Sequence, residues 1–195
     1  MALLFLSNSD KKHIWQQELT RLVPDLDFRV WPDAGNPEEI DFALIWSPPE
    51  GELAKYPNLK VACSLGAGVD HLMKPGVLPE GLPVVRLIDP KMSRQMREWI
   101  AYAVLRLHRE MPIFEDQQRA KVWKSRPNRD TENTRVGILG IGELGALSAE
   151  TLMALGFPVM GWSRSPKDIE GVECFHGPDG LTEMLRKTDI LICLL

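Results

Sequence analysis

The stretch Arg135–Gly145, RVGILGIGELG, constrains the fold of this chain more than any other. An apolar run of Val136, Ile138 and Leu139 leads straight into Gly140-x-Gly142-x-x-Gly145, and the segment LSAETLMALG that follows is patterned like a helix. Strand, glycine turn and helix in that order form the layout of a dinucleotide-binding turn. Gly140 permits the tight turn out of the strand, Gly142 lets the main chain approach a pyrophosphate, and Gly145 lets the helix pack close to the sheet. A side chain at the second glycine would hold the phosphates away. Glu143 and Leu144 open the helix, whose free N–H groups and positive dipole end supply the anion site.

At 195 residues the chain could form one large domain or two small ones, so pattern has to set the domain count. A formal net charge of −4 without any basic run argues against a nucleic-acid footprint. The start MALLFLSNSD is apolar for only five residues and lacks a basic lead, so it reads as a buried first strand and not as a signal peptide. No run approaches the length needed to cross a bilayer. Cys63, Cys174 and Cys193 lie far apart without CxxC spacing and are expected to be reduced, buried and inert, which suits a cytoplasmic protein. His13, His71, His108 and His176 are scattered, so no metal site is expected.

From Ala2 to Ile88, the runs ALLFLS, FRVW, FALIW, LKVACSL and VVRLI are strand candidates, apolar enough for burial on both faces. Between the first two, Ile14, Trp15, Leu19 and Leu22 form one apolar helix face. Such alternation predicts a parallel sheet covered by helices. Met92, Met96, Trp99, Ile100, Ala103, Val104, Leu107 and Met111 then recur at helical spacing, predicting one long helix stopped near Pro112 and followed by a polar surface excursion over 115–134. The second domain continues with RVGILG, a helix over 144–155 closed by Gly156, the strand PVMGWS, a short strand near 172–175, a helix around 181–187 and a final central strand, DILICLL. The expected organisation is α/β: a flavodoxin-like substrate domain over 1–91, then the first half of a Rossmann NAD(P)-binding domain over 92–195, which makes the chain look cut short at its C-terminus.

In such a fold an acidic residue about twenty positions past the glycines meets the ribose 2′-hydroxyl of NAD. Here that strand ends Trp162-Ser163-Arg164-Ser165, with no carboxylate. Arg164 offers a planar cationic fork for a phosphate, Ser163 and Ser165 add hydroxyl donors, and Lys167 is within reach, so NADP(H) is expected over NAD(H). A second glycine turn, Leu65-Gly66-Ala67-Gly68-Val69-Asp70, follows LKVACS and precedes VDHLM, a short helical piece; its amides could converge on a carboxylate, or it could be a plain strand-to-helix turn. His71, just past it, reads as a solvated loop residue.

With FALIWSPP, CSLGAGVDHL, MSRQMREW, VGILGIGELG, LGFPVMGWSRS and DILICLL in hand, the chain resembles the D-isomer-specific 2-hydroxyacid dehydrogenases, most closely the bacterial glyoxylate/hydroxypyruvate reductases of the A type. That resemblance implies a two-domain enzyme, a homodimer, in which the first domain closes over a nicotinamide held by the second and a small 2-oxo acid is reduced with NADPH. It implies that Gly66, Ala67, Gly68 and Val69 hold the substrate carboxylate, that Trp46 stands at the substrate end of its strand, that Met96 lies beside the nicotinamide, and that Ser163, Arg164 and Ser165 form the 2′-phosphate pocket. The family's catalytic arginine, glutamate and histidine fall downstream of Leu195, so no catalytic residue is expected in this chain, and by itself it is expected to be inactive. The alternative is a non-catalytic module that senses a dinucleotide, or an inactive fragment of such an enzyme. No nucleic-acid or membrane partner is implied.

Overall fold

Five short strands build the first unit, Met1–Asp89, of a computed structural model that describes residues 1–195. They are β1 (Ala2–Leu6), β2 (Asp27–Val30), β3 (Ile40–Ile45), β4 (Val61–Ser64) and β5 (Val84–Arg86), all parallel in the order β2-β1-β3-β4-β5. That is the flavodoxin-like order. The central strands bury both faces because successive side chains alternate. Leu4, Leu6, Ile40, Ala43 and Ile45 join Leu53, Leu72 and Val77 in one core layer, while Phe5 and Leu44 pack with Leu65 on the other side.

The edges of this sheet depart from the expected two-sided burial. No residue of β2 is fully buried, and in β5 Val85 and Arg86 are exposed. An edge strand this short has a neighbour on one side only. Nor is the sheet covered by several helices. The unit contains a single α-helix, α1 (Lys12–Leu22), whose Trp15 and Leu19 meet the sheet while Ile14 and Leu22 face solvent. The later crossovers run through 3₁₀ turns at Pro37–Glu39 and Leu53–Lys55 and an irregular stretch over 65–83. Pro48, Pro49, Pro57, Pro75, Pro79 and Pro83 punctuate these segments, and proline inside a helix removes a hydrogen bond and clashes with the preceding turn. Accordingly, VDHLM makes one turn, in which Leu72 and Met73 both donate to the Val69 carbonyl, and not a helix.

The second unit, Pro90–Leu195, carries β6 (Val136–Leu139), β7 (Val159–Ser163), β8 (Glu173–His176) and β9 (Ile190–Cys193), parallel in the order β8-β7-β6-β9. This matches the 3-2-1-4 portion of a doubly wound nucleotide sheet. Its helices are α2 (Pro90–His108), α3 (Met111–Arg119), α4 (Glu143–Ala154) and α5 (Gly177–Lys187). Ile100 and Val104 of α2 pack with Val136, Ile138, Ala149 and Leu152 in the core. His108 is also buried there: its Nδ1 lies 3.1 Å from Thr134 Oγ1 and its ring stands edge-on to Phe157 at 5.0 Å.

Pro112 does not stop one long helix. The chain breaks at Glu110, which is left-handed at φ 52, and Pro112 sits in the first turn of α3. A first-turn N–H has no partner within the helix, so proline costs nothing there. The polar excursion therefore begins at Ala120, because α3 takes up Glu115, whose carboxylate accepts from Arg106 at 2.5 Å. Trp99 and Leu107 point to solvent, leaving Ile100 and Val104 as the buried core of the expected stripe. α5 starts a turn earlier than its apolar pattern, with Pro178 in its first turn. β9 pairs with β6 alone and is an edge strand, so Leu191 and Cys193 are exposed. Cys63 and Cys174 are half-buried, and the expectation of buried cysteines fails for all three.

Candidate functional site

Two constellations lie at the carboxyl ends of the parallel strands, one in each unit. In the second, β6 leads into the glycine turn and α4. Gly140 has φ +94, and a methyl group there would lie 2.6 Å from the Leu194 carbonyl oxygen. At Gly145 an added carbon would come within 2.3 Å of the Gly140 carbonyl oxygen, so only glycine lets the helix start this close to the strand. A carbon added at Gly142 meets no protein atom within 4 Å. The space beside Gly142 is open, as a cradle for a diphosphate requires.

The Gly140 and Ile141 N–H groups both donate to the Trp162 carbonyl, at 2.9 and 3.1 Å, tying the turn to the end of β7. Gly142 is the N-cap of α4 and provides no side-chain cap, which leaves the first-turn amides of Glu143 and Leu144 for an outside acceptor. The Glu143 side chain is exposed; its carboxylate would repel a diphosphate, so what it offers there is its backbone N–H. Beyond β7, Ser163 Oγ donates to the Ser165 carbonyl at 2.7 Å and shapes the loop that carries Arg164. Arg164, Ser165 and Lys167 are exposed, Ser163 is half-buried, and the first carboxylate after the strand is Asp168. Met96 is half-buried on α2 against the unit's core, and with Ile192, Cys193 and Leu194 it lines a cavity of about 260 Å³.

In the first unit, β3 and β4 bring Trp46 and the second glycine turn together. Leu65 N–H donates to the Ile45 carbonyl at 2.9 Å, and Gly66 N–H donates to Ser64 Oγ at 3.2 Å. The amides of Ala67, Gly68 and Val69 have no acceptor in the protein. With no helix after the turn, these amides act without a helix dipole. Gly66 has a reason of its own to be glycine: an added carbon would fall 2.4 Å from Cζ3 of Trp46. Trp46 is half-buried, its main-chain N–H donates to the Leu6 carbonyl, and its ring lies 4.4 Å from the His71 ring.

His71 is thus not a solvated loop residue. It is half-buried against the indole, and its Nε2 is shut off from solvent without a hydrogen-bond partner. Arg86, at the end of β5, donates from Nη1 to the Ala67 carbonyl at 3.4 Å. Reading along the chain missed both roles. His71 is next to the turn in sequence, but its face on Trp46 depends on how β3 and β4 are paired; Arg86 reaches the turn because it is opposite Ser64 in the β4–β5 register. No group of three His, Cys, Asp or Glu side chains is placed to hold a metal ion, and no helix is long and apolar enough to cross a membrane.

Residues 101–195 match the sequence model of the D-isomer specific 2-hydroxyacid dehydrogenase, NAD binding domain. Glyoxylate/hydroxypyruvate reductase A of Yersinia enterocolitica is 40% identical over 186 residues, which are 93% of this chain and 59% of that protein. The crystal structure of a D-isomer specific 2-hydroxyacid dehydrogenase from Xanthobacter autotrophicus Py2, in complex with NADPH and MES, superposes with a TM-score of 0.91 at 44% identity, covering 100% of this chain and 63% of that one.

The second unit of the chain belongs to the D-isomer-specific 2-hydroxyacid dehydrogenase family. The NADPH-dependent glyoxylate/hydroxypyruvate reductase of Sinorhizobium meliloti, solved with NADP and sulfate, is a further structural relative with a TM-score of 0.85 at 32% identity, over 100% of this chain and 62% of that one. The chain spans 59% of the Yersinia protein and 63% of the Xanthobacter one, somewhat under two thirds of the relatives it matches. Its second unit is the NAD-binding portion of this dehydrogenase family.

Proposed function

We propose that the full-length protein reduces a small 2-oxo acid, glyoxylate or hydroxypyruvate, to the D-2-hydroxy acid with NADPH. The observation that carries this reading is the end of β7. An exposed arginine between two serines, Ser163-Arg164-Ser165, occupies the place where an NAD-preferring fold needs a carboxylate. The relatives solved with NADPH or NADP, and those named glyoxylate/hydroxypyruvate reductases, support the same direction.

The residues present fit the dinucleotide. The open side of Gly142 and the amides of Glu143 and Leu144 would take the diphosphate, and Arg164 with Ser163 and Ser165 the 2′-phosphate. When bound, the nicotinamide supplies the hydride. Met96 would lie toward the nicotinamide end. In the first unit the turn Gly66–Val69 would hold the substrate carboxylate through the free amides of Ala67, Gly68 and Val69, with Trp46 as the wall that Gly66 lets approach. The proposal leaves the proton donor that carbonyl reduction requires to groups outside these 195 residues. We further propose a cytoplasmic protein, and a homodimer joined through α2 and α3, where Trp99, Tyr102, Leu107, Met111 and Phe114 are exposed apolar side chains, as is Trp123 just beyond.

The test is a titration of NADPH against NADH with wild type and Arg164→Ala. Loss of a charge-assisted phosphate contact should weaken NADPH at least about tenfold and NADH less than about twofold. Equal effects on the two dinucleotides would refute the NADP assignment.

A further inference from the structure

The first unit holds three arginines, and two of them are neutralised by acids. Arg21 pairs with Glu18 at 2.9 Å, and Arg29 pairs with Asp27 at 2.6 Å and Glu39 at 2.5 Å. Arg86 has no carboxylate partner. Its one hydrogen bond runs from Nη1 to the Ala67 carbonyl, a main-chain oxygen of the turn whose amides at Ala67, Gly68 and Val69 lack acceptors.

Sheet geometry explains why this arginine reaches the turn. Arg86 is the last residue of β5 and is opposite Ser64, the last residue of β4, from which the turn springs. In an open parallel sheet, ligands bind outside the carboxyl ends of the strands. β5 is the edge strand on this side, so the guanidinium is exposed and its remaining donors are free. The turn has no net positive charge of its own, because Asp70 follows it and is exposed. No helix dipole aids it either. Amides alone can orient a carboxylate; a fixed cation also draws it in.

Resting on the reading of this turn as the carboxylate site, we propose that Arg86 is the substrate-docking cation of the first unit. Held to the turn through the Ala67 carbonyl, it recruits the carboxylate of a 2-oxo acid onto the amides of Ala67, Gly68 and Val69. It is a specificity determinant for anionic substrates over neutral 2-oxo aldehydes. It takes no part in proton or hydride transfer.

The experiment uses the full-length protein with saturating NADPH and compares wild type with Arg86→Gln, Arg86→Lys and the control Arg21→Gln. Arg86→Gln should raise KM for glyoxylate about tenfold and change kcat less than about twofold, the signature of lost uniform binding. The wild-type KM should climb with added sodium chloride, and that climb should flatten in Arg86→Gln, because an exposed cation is screened by salt. Arg86→Lys should recover part of the loss, keeping the charge without the fork. Reduction of methylglyoxal, which lacks a carboxylate, should be the same in all four proteins. The proposal is overturned if Arg86→Gln matches Arg21→Gln in KM and salt slope, or if it loses glyoxylate and methylglyoxal turnover in parallel, the mark of a mere brace on the turn. A wild-type protein that binds NADPH but reduces no 2-oxo acid would instead overturn the underlying reading.

Discussion

Gly142 and Gly145 are three residues apart in one motif, yet the structure gives them opposite sensitivities. A methyl group at Gly145 is driven into the backbone oxygen of Gly140 at 2.3 Å, and backbone cannot rotate away. Gly145→Ala should therefore cost about 3 kcal/mol of stability, measured by urea unfolding of the chain. The same methyl at Gly142 meets nothing. Gly142→Ala should change stability by no more than about 1 kcal/mol, an N-cap effect, while NADPH affinity measured by fluorescence titration falls at least about tenfold. If Gly142→Ala left affinity intact, the diphosphate would not lie on this turn. The glycine motif was legible in the sequence because each glycine answers a local constraint of turn or helix start. His71 and Arg86 were not, since their partners Trp46 and Ala67 come from other elements and meet them only once β3, β4 and β5 are paired in register.

Among the elements, α2 and α3 show how far periodicity carries. The spacing of Ile100 and Val104 marks the buried side of α2, but Trp99 and Leu107, within the same apolar stripe, are exposed, as Trp123 is in full at 101% of its reference area. Apolar spacing reports which side chains can be buried and is silent on what buries them. If this face joins two copies, Trp99→Ser combined with Trp123→Ser should shift the full-length protein from dimer to monomer in sedimentation equilibrium without loss of helix content. A dimer that persists at the same strength would place the interface elsewhere. The proline at 112 teaches a related lesson. Its ring forbids a helix interior and suits a first turn equally well, and the left-handed Glu110 just before it decides between the two.

Across the whole molecule, acid should be the more damaging direction of pH. Hydrogen bonds from Arg29 hold the Asp27 carboxyl below its usual range, Lys60 and the Ala2 N–H do so for Asp41, Arg126 for Glu110, and Arg135 for Asp189. Burial would push the Glu52 carboxyl up, but hydrogen bonds from Lys55, Trp31 and Tyr56 outweigh it and leave the group lowered. A depressed carboxylate lends stability that is complete above its unfolded value and disappears as pH falls through the folded one. Thermal midpoints should thus be flat from about pH 6 to 8 and drop below about pH 4. At the alkaline end the sign reverses. Burial and the neighbouring Glu52 push the Tyr56 hydroxyl up from 10.0 to about 12, so its contribution holds below pH 10 and is lost as pH rises toward 12. Tyr56→Phe should remove that alkaline loss and cost about 1 kcal/mol at neutral pH, since Glu52 loses a 3.1 Å hydrogen bond from the phenol. An alkaline limb that survives in Tyr56→Phe would assign it to other groups.

The strands, the parallel α/β class and the glycine turn between β6 and α4 could be read from the residues alone, because each depends on side chains near one another along the chain: short apolar runs and glycines at fixed spacing. Which strands are edges, why Gly66 must lack a side chain beside Trp46, and which arginine of the first unit is left without an acid emerge only from the folded chain. Those facts arise from strand order and register, which join residues tens of positions apart, and no local pattern encodes the distance between them.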